Sequence, residues 1–166
     1  MAERFVILTV HFPFWSLMTN ALGTDRAMQI GIIVQDIEAT SQAWATLLGI
    51  ETPKIMTTDG VEVAHTEYEG QPTPARAKLC FIPLGQVTLE LIEPIDAPST
   101  WNDQLEQHGP SLHHIAFQIQ GMTEKLQALE SQGIPLVQKG DYTGGRYAYV
   151  DGTQKLGAVL ELLEND

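Results

Sequence analysis

The chain carries the stretch QIGIIVQDI at residues 29–37 and a second copy, HIAFQIQGM, at residues 114–122, an offset of 85 residues. A second matched pair, TLELIEP at residues 88–94 and VLELLEN at residues 159–165, follows at an offset of 71 residues. In each copy, a helix-like stretch and a loop-rich middle lie between the first segment and the second. The sequence therefore predicts an α+β fold made of two β-α-β-β-β modules.

Capping residues mark the helix of each module. In the first module Asp36 is expected to cap the N-terminus, and Gly49 to end the helix. In the second module Thr123 is the expected cap and Gly133 the expected stop. The repeat thus extends from the strands to the helices.

The repeat sets the expected domain boundaries. We expect residues 28–166 to form a single domain of two modules, 28–98 and 111–166, with a connector at 99–110. Residues 1–27 are expected to be a leader or a mis-started extension. Their apolar run is interrupted by Pro13 and is shorter than the roughly 20 residues that a membrane-spanning helix needs.

Composition excludes several partners. The 166 residues include 9 Lys and Arg against 21 Asp and Glu, which gives a formal net charge of −12. A chain this acidic repels nucleic-acid phosphates and anionic membrane surfaces, so neither is expected as a partner. The single cysteine, Cys80, lies in an apolar run, which favours a buried thiol and a reducing, cytoplasmic location.

Four polar residues stand at repeat-equivalent strand positions. Alternate side chains of a strand share a face, so Gln29 and His114 are expected on the concave side of the sheet. Glu90 and Glu161 are equivalent to each other, each between two leucines that point the opposite way. Such a ligand set suits a divalent cation in octahedral geometry with two open positions. The neighbouring His113 is expected on the opposite face.

These segments, together with the motif LHHIAF at residues 112–117, resemble the vicinal oxygen chelate family, which includes glyoxalase I, methylmalonyl-CoA epimerases, extradiol dioxygenases and bleomycin-resistance proteins. The resemblance covers about residues 28–165. It implies the glyoxalase/bleomycin-resistance fold, a cup-shaped mixed sheet. It also implies a homodimer and a divalent metal ion (Zn, Co, Ni or Mn) held by the residues that match the family's ligand positions, Gln29, Glu90, His114 and Glu161.

Within the family the pattern is most similar to methylmalonyl-CoA epimerase. That similarity implies an isomerase in which the metal stabilises an enolate, with Glu161 or Glu90 moving the proton next to a carbonyl or thioester. Lys78 stands where the epimerase has a second basic carboxylate. Lys78 and Arg146 are the expected substrate-binding cations, suited to a carboxylate or to the phosphates of an acyl-CoA.

Two alternatives remain open. The ligand types Gln, Glu, His and Glu also resemble those of glyoxalase I, a lactoylglutathione lyase. The positions that hold glutathione in that enzyme correspond here to Ile33, Pro94 and Pro110, which cannot replace the polar residues. The second alternative is a non-catalytic small-molecule binding or resistance protein on the same fold. Extradiol dioxygenase chemistry is disfavoured because Gln29 replaces the first histidine ligand.

Overall fold

The computed structural model describes residues 20–166. The described chain forms one ten-stranded sheet and five helices. The strands are β1 (Ala27–Ile33), β2 (Ile55–Thr57), β3 (Glu67–Tyr68), β4 (Gln71–Pro72), β5 (Ala77–Pro83), β6 (Thr88–Pro94), β7 (Ser111–Gln118), β8 (Leu136–Tyr142), β9 (Gly145–Val150) and β10 (Val159–Asn165). The helices are α1 (Ile37–Leu48), α2 (Val61–Ala64), α3 (Thr100–His108), α4 (Met122–Ser131) and α5 (Thr153–Leu156).

The sheet order is β2-β5-β6-β1-β7-β10-β9-β8-β3-β4. Each module contributes four strands in the same order, β2-β5-β6-β1 on one side and β8-β9-β10-β7 on the other. The modules meet where β1 and β7 pair in antiparallel fashion at the centre of the sheet. The predicted α+β fold of duplicated modules is confirmed, and the short strands β3 and β4 extend the sheet beyond β8.

Helix α1 begins and ends where the sequence predicts. The Asp36 Oδ1 atom accepts a hydrogen bond from the Ala39 N–H at 2.8 Å, which satisfies an N-terminal amide that has no partner inside the helix. Gly49 ends the helix in the left-handed conformation, at φ 67°. Both expectations for this helix are confirmed.

Helix α4 begins differently from the expectation. It starts at Met122, so Thr123 lies inside the helix and its assignment as the cap is wrong. The capping group is the Glu164 carboxylate at the end of β10, which accepts hydrogen bonds from the N–H groups of Gly121 and Met122. A contact between residues more than 40 positions apart in sequence leaves no local signature.

The same long-range contact is made in both modules. On β6 the Glu93 carboxylate accepts a hydrogen bond from the Ile37 N–H at the start of α1, at 2.7 Å. Glu93 and Glu164 are separated by the 71-residue offset of the repeat. Each module therefore ties its helix to its last strand through a carboxylate at the positive end of the helix dipole.

Two segments outside the predicted modules take part in the packing. Residues 1–19 of the predicted leader lie outside the described residues, whereas Ala21 and Leu22 pack against the apolar core around α4 and β10. The predicted connector at 99–110 contains α3, which places Trp101 in the core between the modules. Among the helices of residues 20–166, none has the length and apolar character needed to cross a membrane.

Candidate metal centre

The sheet register brings the predicted polar residues to the centre of the molecule. Glu90 on β6 pairs with Gly31 on β1, and Gly31 pairs on its other side with His114 on β7. Glu161 on β10 pairs with Ala116 on β7. Since paired residues on neighbouring strands share a face, the three ionisable side chains converge across the junction of the modules.

Three atoms that could bind a metal ion meet in a buried cluster. His114 Nε2 lies 3.2 Å from Glu161 Oε2 and 3.3 Å from Glu90 Oε2. The residue exposures are 0% for His114, 6% for Glu90 and 4% for Glu161. Despite these short distances, none of the three atoms makes a hydrogen bond of acceptable geometry. Buried polar atoms of this kind are rare unless they serve a ligand or an ion.

Gly31 leaves the space that the His114 ring occupies. A Cβ atom at residue 31 would overlap Cε1, Nδ1 and Nε2 of the His114 imidazole, so the ring occupies the volume that any other residue would fill. The backbone of Gly31 does not need a left-handed conformation. Its role is therefore close approach rather than flexibility.

The electrostatics of the cluster are those of a cation site. Burial opposes protonation of His114, but the charges of Glu161 and Glu90 and their contacts with the ring outweigh it and raise the histidine pKa to about 10. Burial raises the pKa of Glu90, as does the Glu161 charge, while His114 opposes both. The raised pKa of His114 favours its positively charged form in the metal-free protein, beside the two buried carboxyl groups.

His113 lies beside His114 rather than on the opposite face, so that expectation is wrong. The antiparallel pairing shifts between Gly31 and Ile32, whose partners are His114 and Leu112, and this bulge leaves His113 unpaired in the strand ladder. The Nδ1 atoms of the two histidines lie 3.0 Å apart. Burial and the His114 charge lower the pKa of His113 to about 3, so it is neutral at physiological pH.

A cavity of about 500 Å³ opens above the cluster. Gln29, Glu90 and Glu161 are part of its lining, so the fourth predicted ligand faces the same space as the carboxylates. Of the four predicted ligands, the structure brings the donor atoms of Glu90, His114 and Glu161 within 4.8 Å of one another. A ligand role for Gln29 stays a prediction.

The two predicted substrate-binding cations lie away from this cavity. Lys78 Nζ is 2.9 Å from Glu93 Oε1 and also contacts Glu38. Arg146 donates to the carboxylates of Glu164 and Asp166. Neither cation lines the cavity, and their contribution to substrate binding stays a prediction.

Three aromatic residues that the sequence patterns do not predict, Trp101, Tyr147 and Tyr149, form an aromatic wall. The Trp101 and Tyr147 rings are stacked at 6.2 Å with an interplanar angle of 28°, and the Tyr149 ring lies 5.1 Å from that of His114. All three aromatic residues line the cavity. The two tyrosines alternate along β9 and were detectable as one face of a strand, whereas Trp101 lies in the predicted connector and carried no such signal.

The residues present fit a divalent ion. Ligand atoms about 2.1 Å from a shared ion lie about 3.0–3.4 Å apart, which matches the separations from His114 Nε2 to the two carboxylates. Imidazole nitrogen and carboxylate oxygen suit zinc and similar first-row ions. The unpartnered atoms and the space reserved by Gly31 support the same conclusion.

Comparison with known proteins shows which family this chain matches. The family model described as "Glyoxalase/Bleomycin resistance protein/Dioxygenase superfamily" matches residues 28–150. Among curated proteins, the "Uncharacterized protein YqjC" of Bacillus subtilis (strain 168) is 36% identical over 143 residues, which cover 84% of this chain and 92% of the relative.

Solved structures share the fold at low sequence identity. The hypothetical protein BH1468 from Bacillus halodurans C-125 has a TM-score of 0.60 at 20% identity, covering 85% of this chain and 94% of that one. A Streptomyces coelicolor methylmalonyl-CoA epimerase variant in complex with 2-nitronate-propionyl-CoA has a TM-score of 0.57 at 20% identity, covering 84% and 96%. At this level of identity the likeness concerns the fold.

Proposed function

Because the chain belongs to the glyoxalase/bleomycin resistance protein/dioxygenase superfamily, we propose that it is a divalent-metal-dependent enzyme that moves a proton next to a carbonyl or thioester. The observation that carries this proposal is the buried convergence of Glu90, His114 and Glu161, of which Glu90 and Glu161 also line a cavity of about 500 Å³. The proposed reaction is epimerase-like, an isomerisation through an enolate.

The three residues would hold the ion together with Gln29. When bound, a divalent ion supplies Lewis-acid stabilisation of the negative charge that develops on a carbonyl oxygen as the neighbouring proton leaves. Glu161 in its ionised form would accept that proton, and Glu90 in its protonated form would return one, because the two carboxyl groups approach the cluster from different strands, β10 and β6. Proton exchange with solvent would then restore both groups.

The aromatic wall contributes orientation. Trp101 Nε1 donates a hydrogen bond to the Tyr149 hydroxyl at 3.2 Å, which fixes both rings beside the cluster. A substrate placed against these rings has its reacting carbon held near the carboxylates rather than free to rotate. The enolising group and the rest of the substrate therefore have separate positions in the cavity.

The acyl-CoA expectation draws support from the epimerase solved with 2-nitronate-propionyl-CoA, a CoA ligand. It belongs to the proposal as one substrate to test. A cytoplasmic location and a homodimer likewise stay predictions from the sequence.

Deuterium exchange tests the reaction. The full chain is loaded in turn with Zn²⁺, Co²⁺, Ni²⁺ and Mn²⁺. Loss of the α-proton in D₂O is then followed by NMR for methylmalonyl-CoA, a thioester, and for 2-hydroxyacetophenone, a ketone that carries no CoA. We expect metal-dependent exchange in at least one of them. Absence of exchange from both, with metal bound, would refute the enzyme and leave a binding or resistance protein.

Two matched variants assign the activity to the cluster. Glu161→Gln keeps the size of the side chain but removes the base, and we expect exchange to fall by about 100-fold or more. Glu130→Gln alters an exposed carboxylate on α4 and should leave exchange unchanged. Equal losses in both variants would show that the exchange does not depend on Glu161.

A further inference from the structure

The hydroxyl group of Tyr149 has a proton without an acceptor. The indole Nε1 atom of Trp101 lies 3.2 Å from the Tyr149 hydroxyl, and an indole N–H can only donate a hydrogen bond. The Tyr149 oxygen is therefore the acceptor in this contact, and its own proton must be directed elsewhere. Among the described residues 20–166, Trp101 is the only hydrogen-bond partner of this hydroxyl.

The burial of Tyr149 makes an unused donor unfavourable. The residue is only 2% exposed, and a buried donor that lacks an acceptor costs free energy. Tyr149 nevertheless belongs to the lining of the cavity of about 500 Å³. A molecule bound in that cavity can supply the acceptor that the protein does not.

Tyr149 lies beside the candidate metal ligands. It pairs with Glu161 across β9 and β10, so the two side chains share a face of the sheet. Its ring centroid is 5.1 Å from that of His114. Burial and the charges of Glu161 and Glu90 raise the pKa of Tyr149 well above its ordinary value, so the hydroxyl keeps its proton at physiological pH.

The cavity has no cationic side chain that could stabilise negative charge on a substrate. Its charged lining residues are Asp59, Glu90, Asp141 and Glu161, and no lysine or arginine in the part of the chain that the structure describes belongs to the lining. Removal of a proton next to a carbonyl leaves negative charge on the carbonyl oxygen. Apart from a bound ion, neutral hydrogen-bond donors of the lining must stabilise that charge.

The other tyrosines of the lining have acceptors for their protons. Tyr142 donates a hydrogen bond to Asn165 Oδ1 at 2.8 Å. Tyr147 accepts one from Gln138 Nε2 at 3.2 Å, and the Thr66 hydroxyl is a second partner that can accept its proton. Of the lining tyrosines in the described chain, one is thus left with a proton to donate.

We propose that the Tyr149 hydroxyl donates a hydrogen bond to the carbonyl oxygen of the substrate, and that Trp101 is the positioning residue for this hydroxyl. The hydrogen bond strengthens as negative charge develops on the oxygen, so it favours the enolate over the carbonyl form. Tyr149 keeps its proton throughout. The inference rests on the proposed function and deepens it, because it adds a substrate-binding residue and a residue that orients it.

Infrared spectroscopy and proton exchange test the role of Tyr149. The Zn²⁺-loaded full chain is mixed with 2-hydroxyacetophenone labelled isotopically at the carbonyl carbon, whose stretching frequency falls when the oxygen accepts a hydrogen bond. We expect Tyr149→Phe to move the band of the bound ketone to higher frequency and to slow α-proton exchange by about 100-fold at unchanged Zn²⁺ affinity. An unchanged band and an unchanged exchange rate would overturn the inference.

Tyr142→Phe is the matched control. It removes a hydroxyl from the same cavity, but one whose proton is already donated to Asn165. We expect neither the carbonyl band nor the exchange rate to change. Equal effects in Tyr142→Phe and Tyr149→Phe would contradict a specific role for the Tyr149 proton.

Trp101→Phe tests the positioning role. This variant retains an aromatic ring but removes the N–H donor, and we expect about tenfold slower exchange together with a smaller shift of the carbonyl band than in Tyr149→Phe. Added to Tyr149→Phe, it should cause no further loss, because the hydroxyl that it positions is gone. Additive losses would show that Trp101 contributes packing alone.

The two measurements distinguish this inference from the proposed function. If the ketone band depends on Tyr149 but neither ketone nor methylmalonyl-CoA exchanges its proton, Tyr149 stands as a carbonyl-binding residue and the proposed enzyme fails. If exchange occurs at the same rate in Tyr149→Phe, the enzyme stands and the inference fails. If the ketone does not bind, exchange of methylmalonyl-CoA must show the dependence on Tyr149, and its absence overturns the inference.

Discussion

Gly31 on β1 lies directly beneath the imidazole ring of His114 on β7, and the ring fills the space where a Cβ atom of residue 31 would stand. The same glycine pairs with Glu90 on its other side. The absence of a side chain at one residue thus allows a histidine and a carboxylate from neighbouring strands to meet over the sheet.

Replacing Gly31 by alanine should displace the His114 ring. We expect Gly31→Ala to weaken divalent-metal binding by about 100-fold or more, which exceeds the usual effect of changes outside the ligands themselves, and to destabilise the metal-free protein by about 1–3 kcal/mol through overpacking. Metal affinity is measured by competition with a chromophoric chelator. Gly60→Ala is the control, because a Cβ there meets no atom within 4 Å; unchanged affinity in Gly31→Ala would contradict the prediction.

His113 should orient the metal-ligating histidine. Because His113 is neutral and its Nδ1 lies 3.0 Å from His114 Nδ1, it can accept a hydrogen bond from the Nδ1–H group of His114, which leaves His114 Nε2 free to bind an ion. We expect His113→Leu to weaken metal binding by about 10–100-fold, and His113→Asn, which retains an acceptor, to preserve most of the affinity. Equal losses in the two variants would indicate a packing role instead.

Metal binding should release a proton. In the metal-free protein the pKa of His114 is raised to about 10, so at pH 7 an arriving ion must displace the imidazolium proton. Metal affinity should therefore rise by up to about tenfold per pH unit toward pH 10. Calorimetry in buffers of different ionisation enthalpy counts the released protons, and a count of zero at pH 7 would show that His114 is already neutral.

Glu164 should stabilise the protein as the cap of α4. We expect Glu164→Gln to lower the melting temperature by about 3 °C at pH 7, with Glu130→Gln at the other end of the helix as the control. The Gly121 N–H, Arg146 and the Met122 N–H lower the pKa of Glu164 below its ordinary value of 4.5, against an opposing effect of burial. The stabilisation is present above the carboxyl pKa of the unfolded chain and is lost as pH falls through the lowered folded value.

The difference between Glu164→Gln and the parent protein should accordingly shrink below pH 4.5. Melting curves at pH 7 and at acid pH measure this change. A melting-temperature difference that stays constant down to pH 3 would mean that the carboxylate charge is not what stabilises the helix.

The repeat made the fold and much of the site predictable. Strand alternation sets which residues share a face, and the offsets of 85 and 71 residues identify equivalent positions in the two modules. From these two regularities the sequence predicts that Glu90, His114 and Glu161 meet, and the structure brings their donor atoms together. The helix cap at Asp36 was equally accessible because its hydrogen bond spans three residues.

Features that depend on partners far apart in the chain were not predictable. The bulge that turns His113 toward His114 arises from the register between β1 and β7, and alternation alone places it on the wrong face. Glu164 replaces Thr123 as the cap through a contact across more than 40 residues. Lys78 and Arg146 have the positive charge expected of residues that bind an anionic substrate. In the structure they form ion pairs with Glu93 and Glu164, respectively, near the ends of β6 and β10.

The sequence by itself therefore determined the duplicated α+β fold and the polar residues at its centre, because side-chain alternation and capping are local properties that recur with the repeat. Only the tertiary structure decided that the cavity has an aromatic wall, that its charged residues within 20–166 are acidic and that Gly31 makes room for His114. These depend on strand register, on the docking of α3 and on ion pairing, which bring together residues that no sequence window contains.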